Sequence, residues 1–358
     1  MTEATTDQAG QAGITDAPGE LDGQTPVQTS SFGFPIDAVV LAGTHEDPRR
    51  LVNGRNKAFL EIDGRALVRH VVDALEAAAH IDQIYVVGPV EELEVALRGC
   101  PNAHCVPQEG RMLSNSWAAI RAAEAARASL PERQLNQRPI LMTSSDLPLI
   151  SAPAVDDFVA RCAAVDAVAG RQVAMLVGVA EEAGLSPFYG SAGQPGIVRP
   201  LVQLKDGRMR LANIYVARPR LLAHSEFLQT SFNLRKAKDW RNVLKLVWSL
   251  FGQHGGWSAA WMTLRLQVTA MLAGGEGFLY RRLRAGNTMQ RVENGVSSVL
   301  GGPVKVVVTP FGGLSLDVDD EEDFDLLSAH YRQWMSVGAE TAAQLATAAP
   351  ATEPARTQ

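Results

Sequence analysis

The chain has 358 residues, and its 33 lysines and arginines against 39 aspartates and glutamates give a formal net charge of −6. Hydrophobic residues make up 46% and charged residues 20%, which excludes a fully disordered chain and a strongly basic nucleic-acid binder. The length suits one large domain or two smaller ones. Cys100, Cys105 and Cys162 are odd in number and lack the spacing of a metal site, so we expect reduced thiols in a cytoplasmic protein.

The two ends of the chain differ from the rest in composition. Residues 1–33 are rich in Thr, Gln, Gly, Ala and Pro and lack the basic start and apolar run of a signal peptide. Residues 336–358 are rich in Ala and Thr. We therefore predict a disordered tail at each end and one domain over residues 34–335. The sequence contains no apolar run of about 20 residues, so we predict no transmembrane helix.

The first half alternates between short apolar runs and segments with helical spacing. The predicted strands are 36–42, 83–88, 103–107 and 139–143, and the predicted helices are 67–79, 91–97, 114–129 and 152–163. The run 36–42 is rich in β-branched residues, as in a strand buried on both faces. Alternating strands and helices imply parallel pairing with right-handed crossovers. We predict an α/β fold with a mostly parallel, doubly wound, Rossmann-like sheet.

The second half adds a mainly helical insertion over residues 237–300. The predicted strands around it are 173–179, 197–204, 211–216, 304–309 and 314–318, and a helix over 321–335 closes the domain. A basic cluster beginning at Arg235 and Lys236 precedes an aromatic stripe within the insertion. The cluster could clamp an acceptor phosphate, or residues 240–272 could rest on an anionic membrane. We favour a third interpretation, a surface helix pair that packs its tryptophans into the core.

Ligands of an open parallel sheet bind beyond the carboxyl ends of its strands. The loop 43–57 follows the first strand and carries Arg49, Arg50, Arg55 and Lys57. Arginine makes forked contacts with phosphate oxygens and lysine adds a compact charge, so the loop suits a phosphate chain. It contains neither a Walker motif nor a dinucleotide fingerprint. A solvated basic loop is the alternative.

Carboxylates also stand at the carboxyl ends of two other predicted strands. Asp146 follows the strand 139–143, where it is either a helix cap or a metal ligand. Asp317 and Asp319 would leave one face of a strand, and like charges side by side repel unless a cation separates them. The alternative is a solvated strand end in which Asp319 or Asp320 caps the last helix. Each carboxylate has a structural explanation, and their joint occurrence is what favours a metal site.

Four segments together resemble the MobA-like nucleotidyltransferases, which share the GT-A-type fold. They are Val39-Val-Leu-Ala-Gly43, the stretch from Asn56-Lys57 to Val68, Met142-Thr-Ser-Ser-Asp146-Leu-Pro148, and Asp317-Val-Asp-Asp-Glu-Glu-Asp-Phe-Asp325. The resemblance spans residues 36–330 in the order of the family. The usual LAGGxSxRMG of the first loop is here Leu41-Ala-Gly-Thr44, without the Arg-Met-Gly.

The resemblance implies a role for each motif. Lys57 and Asp146 would be catalytic, and Mg²⁺ (or Mn²⁺) would be held by Asp146 with Asp317 or Asp319. The acceptor would lie over the sheet near Arg199, Asn213, Arg235 and Lys236. The nucleoside triphosphate would contact the first loop and a base-reading segment, namely Leu41, Ala42, Gly43, Arg49, Arg50, Arg55 and Lys57, with Gln108, Gly110 and Asn115.

The predicted function is transfer of a nucleoside monophosphate from a nucleoside triphosphate to a phosphorylated small-molecule acceptor, with release of pyrophosphate. We expect no nucleic-acid partner, and we leave open a homo-oligomer and peripheral membrane contact. One alternative is a GT-A glycosyltransferase that uses a nucleotide sugar. The other is a degenerate nucleotide-binding protein without activity, which the altered first loop motivates.

Overall fold

The computed structural model describes residues 32–44, 51–191, 193–224, 226, 256–275 and 277–348, with the backbone alone for 256–260. Its strands are β1 (Ile36–Leu41), β2 (Glu61–Ile62), β3 (Arg65–Ala66), β4 (Ile81–Gly88), β5 (Ala103–Pro107), β6 (Ile140–Ser144), β7 (Met175–Glu181), β8 (Val202–Gln203), β9 (Arg208–Ala217) and β10 (Val304–Thr309). Its helices are α1 (Leu67–Glu76), α2 (Val90–Ala96), α3 (Met112–Ala126), α4 (Glu132–Asn136), α5 (Ala152–Val168), α6 (Glu182–Leu185), α7 (Gly256–Leu272), α8 (Phe278–Ala285), α9 (Met289–Leu300) and α10 (Glu321–Ala348).

An eight-stranded sheet forms the centre of the described structure. Its strand order is β10-β7-β9-β6-β1-β4-β5, and the short β8 pairs with β9. The pairs β1–β4, β1–β6, β4–β5 and β7–β10 are parallel, whereas β9 runs antiparallel to β6, β7 and β8. The predicted fold class, a mostly parallel doubly wound α/β sheet, is confirmed.

Helices cover both faces of the sheet because successive strand residues point to opposite sides. In β1, Ala38 and Val40 belong to the core that α1 and α5 complete on one face. Val39, between them, packs on the other face with Ala119 and Ile120 of α3. The apolar run that predicted a buried strand is therefore explained by burial on both sides. On the α3 face, α9 packs beside β10 and α7 packs against α9.

Two predicted strands are wrong in extent or kind. Of the predicted strand 197–204, only Val202–Gln203 is a strand, and Pro200 before it has no N–H to give to a sheet. The predicted strand 314–318 is absent from the described sheet, and Gly312–Ser315 forms a 3-10 helix instead. A Cβ at Gly312 would collide with the backbone of Gly184, so this turn packs directly on α6.

The last helix is longer than predicted. It ends at Ala348 rather than at Met335, so the part of residues 336–358 that is described is helical. Val337, Ala342 and Leu345 of the extension pack against the core clusters, which explains why an alanine-rich tail continues the helix. Residues 1–31 and 349–358 of the two predicted tails lie outside the described residues.

The predicted helical insertion is described from residue 256 onward, where it consists of α7, α8 and α9. The aromatic stripe with Trp240 and Trp248, for which packing into the core was preferred, lies outside the described residues. Trp261 on α7, further along the insertion, has a side chain that is 66% exposed. The basic cluster with Arg235 and Lys236 lies outside the described residues. No helix that the structure describes is long and apolar enough to span a membrane. Cys100, Cys105 and Cys162 form no disulfide.

Candidate active site

The carboxyl ends of β1 and β6 lie side by side and define the candidate site. Leu41 pairs with Ser144 at the ends of these parallel strands. One residue on, the N–H of Ser145 donates to the carbonyl of Leu41 at 3.2 Å. The loop after β1 and the turn that carries Asp146 therefore leave the sheet at the same edge, as expected for parallel neighbours.

The segment Asp317–Asp319 joins this edge from far along the chain. The N–H of Val318 donates to the carbonyl of Asp146 at 3.1 Å. This bond places the two predicted acidic motifs against each other. The segment is not a strand, so the two carboxylates are positioned by this backbone contact rather than by the alternation that the sequence suggested.

Asp317 has an unusual environment for a carboxylate. Its side chain is almost fully buried, and its Oδ1 makes no hydrogen bond to any described residue. A guanidinium nitrogen of Arg210 lies 3.7 Å from this oxygen. Burial first, and then the negative charges of Asp146 and Asp319, raise the pKa of Asp317 to about 6. A divalent cation beside these carboxylates would stabilise the ionised form of Asp317.

The capping alternatives can be assigned to other residues. Oδ1 of Asp320 accepts a hydrogen bond from the N–H of Asp323 at 3.1 Å, so Asp320 is the side chain that caps α10. The residue at the N-cap position of α5 is Ser151, which excludes Asp146 from that role. Among the described residues, nothing donates a hydrogen bond to the Asp146 carboxylate or forms an ion pair with it.

Lys57 faces the acidic segment across the site. It begins a short 3-10 helix, whose N-cap Asn56 accepts a hydrogen bond from the N–H of Ala58. The side-chain amide of Asn56 also donates to the carbonyl of Ala42 at 3.0 Å, which ties this turn to the end of β1. Nζ of Lys57 donates to the carbonyl of Asp319 at 2.7 Å and to that of Val318.

Two further residues, Asp323 and Arg199, hold the acidic segment in place, and no role was predicted for Asp323. The buried Asp323 accepts hydrogen bonds from the N–H of Asp319 at 2.9 Å and from Arg199 at 2.5 Å. Arg199 also donates to the carbonyl of Asp317 at 2.9 Å. Asp323 belongs to the acidic motif 317–325, and the spacing of this motif does not distinguish Asp323 from the acidic residues around it. The contact of Arg199 with an acceptor stays a prediction.

The loop after β1 meets the segment predicted to read the base. The N–H of Thr44 donates to Oε1 of Gln108 at 2.9 Å. Oδ1 of Asn115 accepts from the N–H of Glu109 at 2.6 Å. A Cβ on Gly43 would lie 2.5 Å from Nδ2 of Asn115, so a larger residue there would displace the Asn115 side chain. The structure thus brings these three predicted contact residues together.

The remaining predicted site residues fall into three groups. Leu41 and Asn213 line a cavity over the sheet, and Ala42 is buried beside them at the end of β1. Arg55 and Gly110 are exposed, the latter with a positive φ of 94°. Outside the described residues lie four predicted contacts, Arg49, Arg50, Arg235 and Lys236.

The donor set fits a hard divalent cation. Mg²⁺ is usually bound by one or two carboxylates together with substrate phosphates and water. Asp146 and the unbonded oxygen of Asp317 supply such a pair. Among the described residues, one group of three potential ligands lies within 4.8 Å, namely Asp73, Glu76 and Cys100. Asp73 of that group already pairs with Arg65 and Arg69.

The fold and this edge of the sheet define an open α/β protein with the predicted site residues at the carboxyl ends of its central strands. The model of the MobA-like NTP transferase domain matches residues 38–222, and the chain belongs to this family of nucleotidyltransferases. The match begins in β1 and includes Lys57 and Asp146, whereas Asp317 lies beyond its end.

Solved structures with similar folds were found at low identity. A hypothetical transferase from Thermus thermophilus is 21% identical, with 81% of this chain and 99% of that chain covered and a TM-score of 0.47. The 4-diphosphocytidyl-2C-methyl-D-erythritol synthase of Anaerococcus prevotii is 11% identical, with 84% and 97% covered and a TM-score of 0.40. A CMP:2-keto-3-deoxy-manno-octonic acid synthetase complexed with CTP is 12% identical, with 83% and 99% covered and a TM-score of 0.41. A search of curated proteins gave no match.

Proposed function

We propose that the protein transfers a nucleoside monophosphate from a nucleoside triphosphate to a phosphorylated acceptor and releases pyrophosphate. One observation carries the proposal. In a chain of the NTP transferase family, the N–H of Val318 bonds to the carbonyl of Asp146, the charge of Asp146 acts on the buried carboxylate of Asp317, and Lys57 bonds to the same segment. This is an arrangement of charges that suits a triphosphate with its cation.

Binding and orientation of the triphosphate follow from these side chains. Asp146 and Asp317 would hold Mg²⁺ or Mn²⁺, which when bound neutralises phosphate charge and favours departure of pyrophosphate. Lys57 brings a positive charge to the α-phosphate oxygens, where negative charge grows during the reaction. The amides around Gly43 and Thr44 offer donors to the same phosphates. Gln108 and Asn115 would contact the base.

The transfer itself is a substitution at the α-phosphorus. An oxygen of the acceptor phosphate forms the new bond to this atom. The bond to the oxygen that bridges to the β-phosphate breaks, and its electron pair leaves on pyrophosphate. A phosphate monoester loses its second proton with a pKa of about 6, so the nucleophile is already ionised near pH 7. Positioning and charge neutralisation are then the main tasks of the side chains.

Lys57→Met is expected to lower turnover by roughly a hundredfold, because it removes the positive charge beside the α-phosphate while keeping an unbranched side chain. Lys57→Arg should restore part of the activity. Steady-state rates of pyrophosphate release measure both variants, with circular dichroism as a check of folding. Equal rates for Lys57→Met and the wild type would contradict the role of this lysine.

The proposed function is tested with each α-³²P-labelled nucleoside triphosphate, Mg²⁺ and a panel of phosphomonoesters. The expected result is pyrophosphate release that depends on the acceptor, with the label transferred to it. A bound triphosphate at a hundredfold excess over its Kd should also stabilise the fold by about 2.7 kcal/mol. Turnover of nucleotide sugars without pyrophosphate would instead support a glycosyltransferase, and binding without turnover a nucleotide-binding protein.

A further inference from the structure

A large cavity lies over the face of the sheet that carries α3, α7 and α9. Its volume is about 520 Å³, which is within the usual range of small-molecule sites. The floor is formed by β6, β7, β9 and β10, including Met142, Val177, Leu211 and Tyr215. Trp117 of α3 lies among its lining residues.

The lining of the cavity is apolar over most of its surface. Three of its polar side chains already have partners in the protein. Glu293 of α9 is already paired with Lys305 at 2.8 Å. The hydroxyl of Ser116 donates to a carbonyl of its own helix. The hydroxyl of Thr143 donates to the carbonyl of Asn213 at 2.9 Å. These groups leave the cavity suited to hydrocarbon rather than to a sugar or a peptide.

One end of the cavity opens on the candidate active site. Arg210 is among the lining residues; its Nε donates to the carbonyl of Ser315 at 3.1 Å, and another of its guanidinium nitrogens lies 3.7 Å from Oδ1 of Asp317. Ser144, two residues before Asp146, lines the same end, and its Oγ is buried without a hydrogen-bond partner among the described residues. The opposite end reaches Ala217, so the cavity follows β9 for roughly 20 Å at about 3.3 Å per residue.

We propose that this cavity binds the apolar body of the acceptor, which is an amphiphilic phosphomonoester whose phosphate lies at the Arg210 end. The inference rests on the proposed function and names the class of its acceptor. The apolar lining, together with Arg210 and Ser144 at the end next to the candidate site, selects this chemistry. The acceptor phosphate then meets the α-phosphorus at the edge of the sheet, while the hydrocarbon part extends along β9.

The test compares butyl phosphate with octyl phosphate by titration calorimetry, in the presence of Mg²⁺. Each methylene group buried should improve affinity by roughly fourfold, so octyl phosphate is expected to bind on the order of a hundredfold more tightly. Equal affinities for the two probes would overturn the proposal. Failure of both to bind would overturn it too.

A variant that fills the cavity tests whether octyl phosphate binds there. Val177→Phe should lower the affinity for octyl phosphate by at least tenfold and leave the stabilisation by nucleoside triphosphate unchanged. Val168→Phe is the matched control, because Val168 is 92% exposed on α5. If Val177→Phe unfolds, Val177→Asn tests the same site without added volume, by placing a polar amide on the apolar lining. Tight octyl phosphate binding by folded variants at Val177 would place the ligand elsewhere and overturn the proposal.

The outcomes separate this inference from the proposed function. Transfer to phosphomonoesters without a preference for the longer chain would keep the function and reject the cavity. Chain-dependent binding that Val177→Phe abolishes, without any pyrophosphate release, would keep the cavity and reject the function. A parallel titration with lysophosphatidic acid in phosphatidylcholine vesicles distinguishes a bilayer source from a soluble one. The bilayer source is included because Trp261 and Phe278 expose apolar side chains on the outer helices.

Discussion

Asp146→Asn is expected to lower turnover by roughly a thousandfold, equivalent to about 4 kcal/mol of transition-state stabilisation. The substitution keeps the size of the side chain and removes the charge that would hold the cation. Because the Asp146 carboxylate has no hydrogen bond or ion pair among the described residues, its loss breaks no contact of the protein with itself. The thermal stability of the variant without ligands should therefore equal or exceed that of the wild type, since a repulsion with Asp317 is removed.

Asp325→Asn is the matched control for this variant. Asp325 belongs to the same acidic run as Asp317 but is exposed on α10. Its substitution should leave the rate of pyrophosphate release unchanged. Wild-type activity in Asp146→Asn, or an equal loss in both variants, would contradict the assignment of Asp146 to the cation.

Asp166→Ala is expected to lower the free energy of unfolding by about 3–5 kcal/mol, because it leaves the buried guanidinium of Arg218 without its counter-charge. The two side chains form a forked pair with bonds of 2.9 and 2.8 Å. Arg218 also donates to the carbonyls of Gln137 and Val173 at 2.8 Å each. The pair thus joins α5 to the ends of β6, β7 and β9, the strands under the site.

Urea denaturation measures this loss, and Asp157→Ala is its control. Asp157 stands on the same helix and pairs with Arg161 four residues along at 2.7 Å. Both side chains of this pair keep some solvent contact, at 14% and 15% exposure, so its loss should cost less than that of the fully buried Arg218 pair. Equal losses in the two variants would show that the Arg218 pair is no more important than an i, i+4 pair within one helix.

The strands of the sheet were predictable where their burial on both faces left an unambiguous apolar run. Ile36–Leu41 and Ile140–Ser144 are examples, and the loops that follow them are where the polar motifs stand. The antiparallel direction of β9 could not be predicted, because an isolated run of apolar residues has no preference for either direction. The place of β9 between β6 and β7 depends on contacts between strands distant along the chain.

The sequence predicted which residue types form the candidate site, but it did not predict the contacts that hold them in place. The spacing of Asp317 and Asp319 suggested a strand. Their positions instead come from a backbone hydrogen bond with Asp146 and from hydrogen bonds with Lys57, Arg199 and Asp323. Such support is invisible in sequence because each partner is separated from the segment by a different distance along the chain. The cavity was unforeseen for the same reason, since its walls come from α3 and α9.

The proposed mechanism requires Asp146 and Asp317 to hold one divalent cation that faces Lys57. Anomalous scattering from crystals grown with Mn²⁺ and a non-hydrolysable nucleoside triphosphate locates such a cation. We predict a manganese peak in contact with Asp146 and Asp317, with the triphosphate beside Lys57. A manganese peak at Asp73, Glu76 and Cys100 in its place, or a triphosphate bound away from Lys57, would contradict the account.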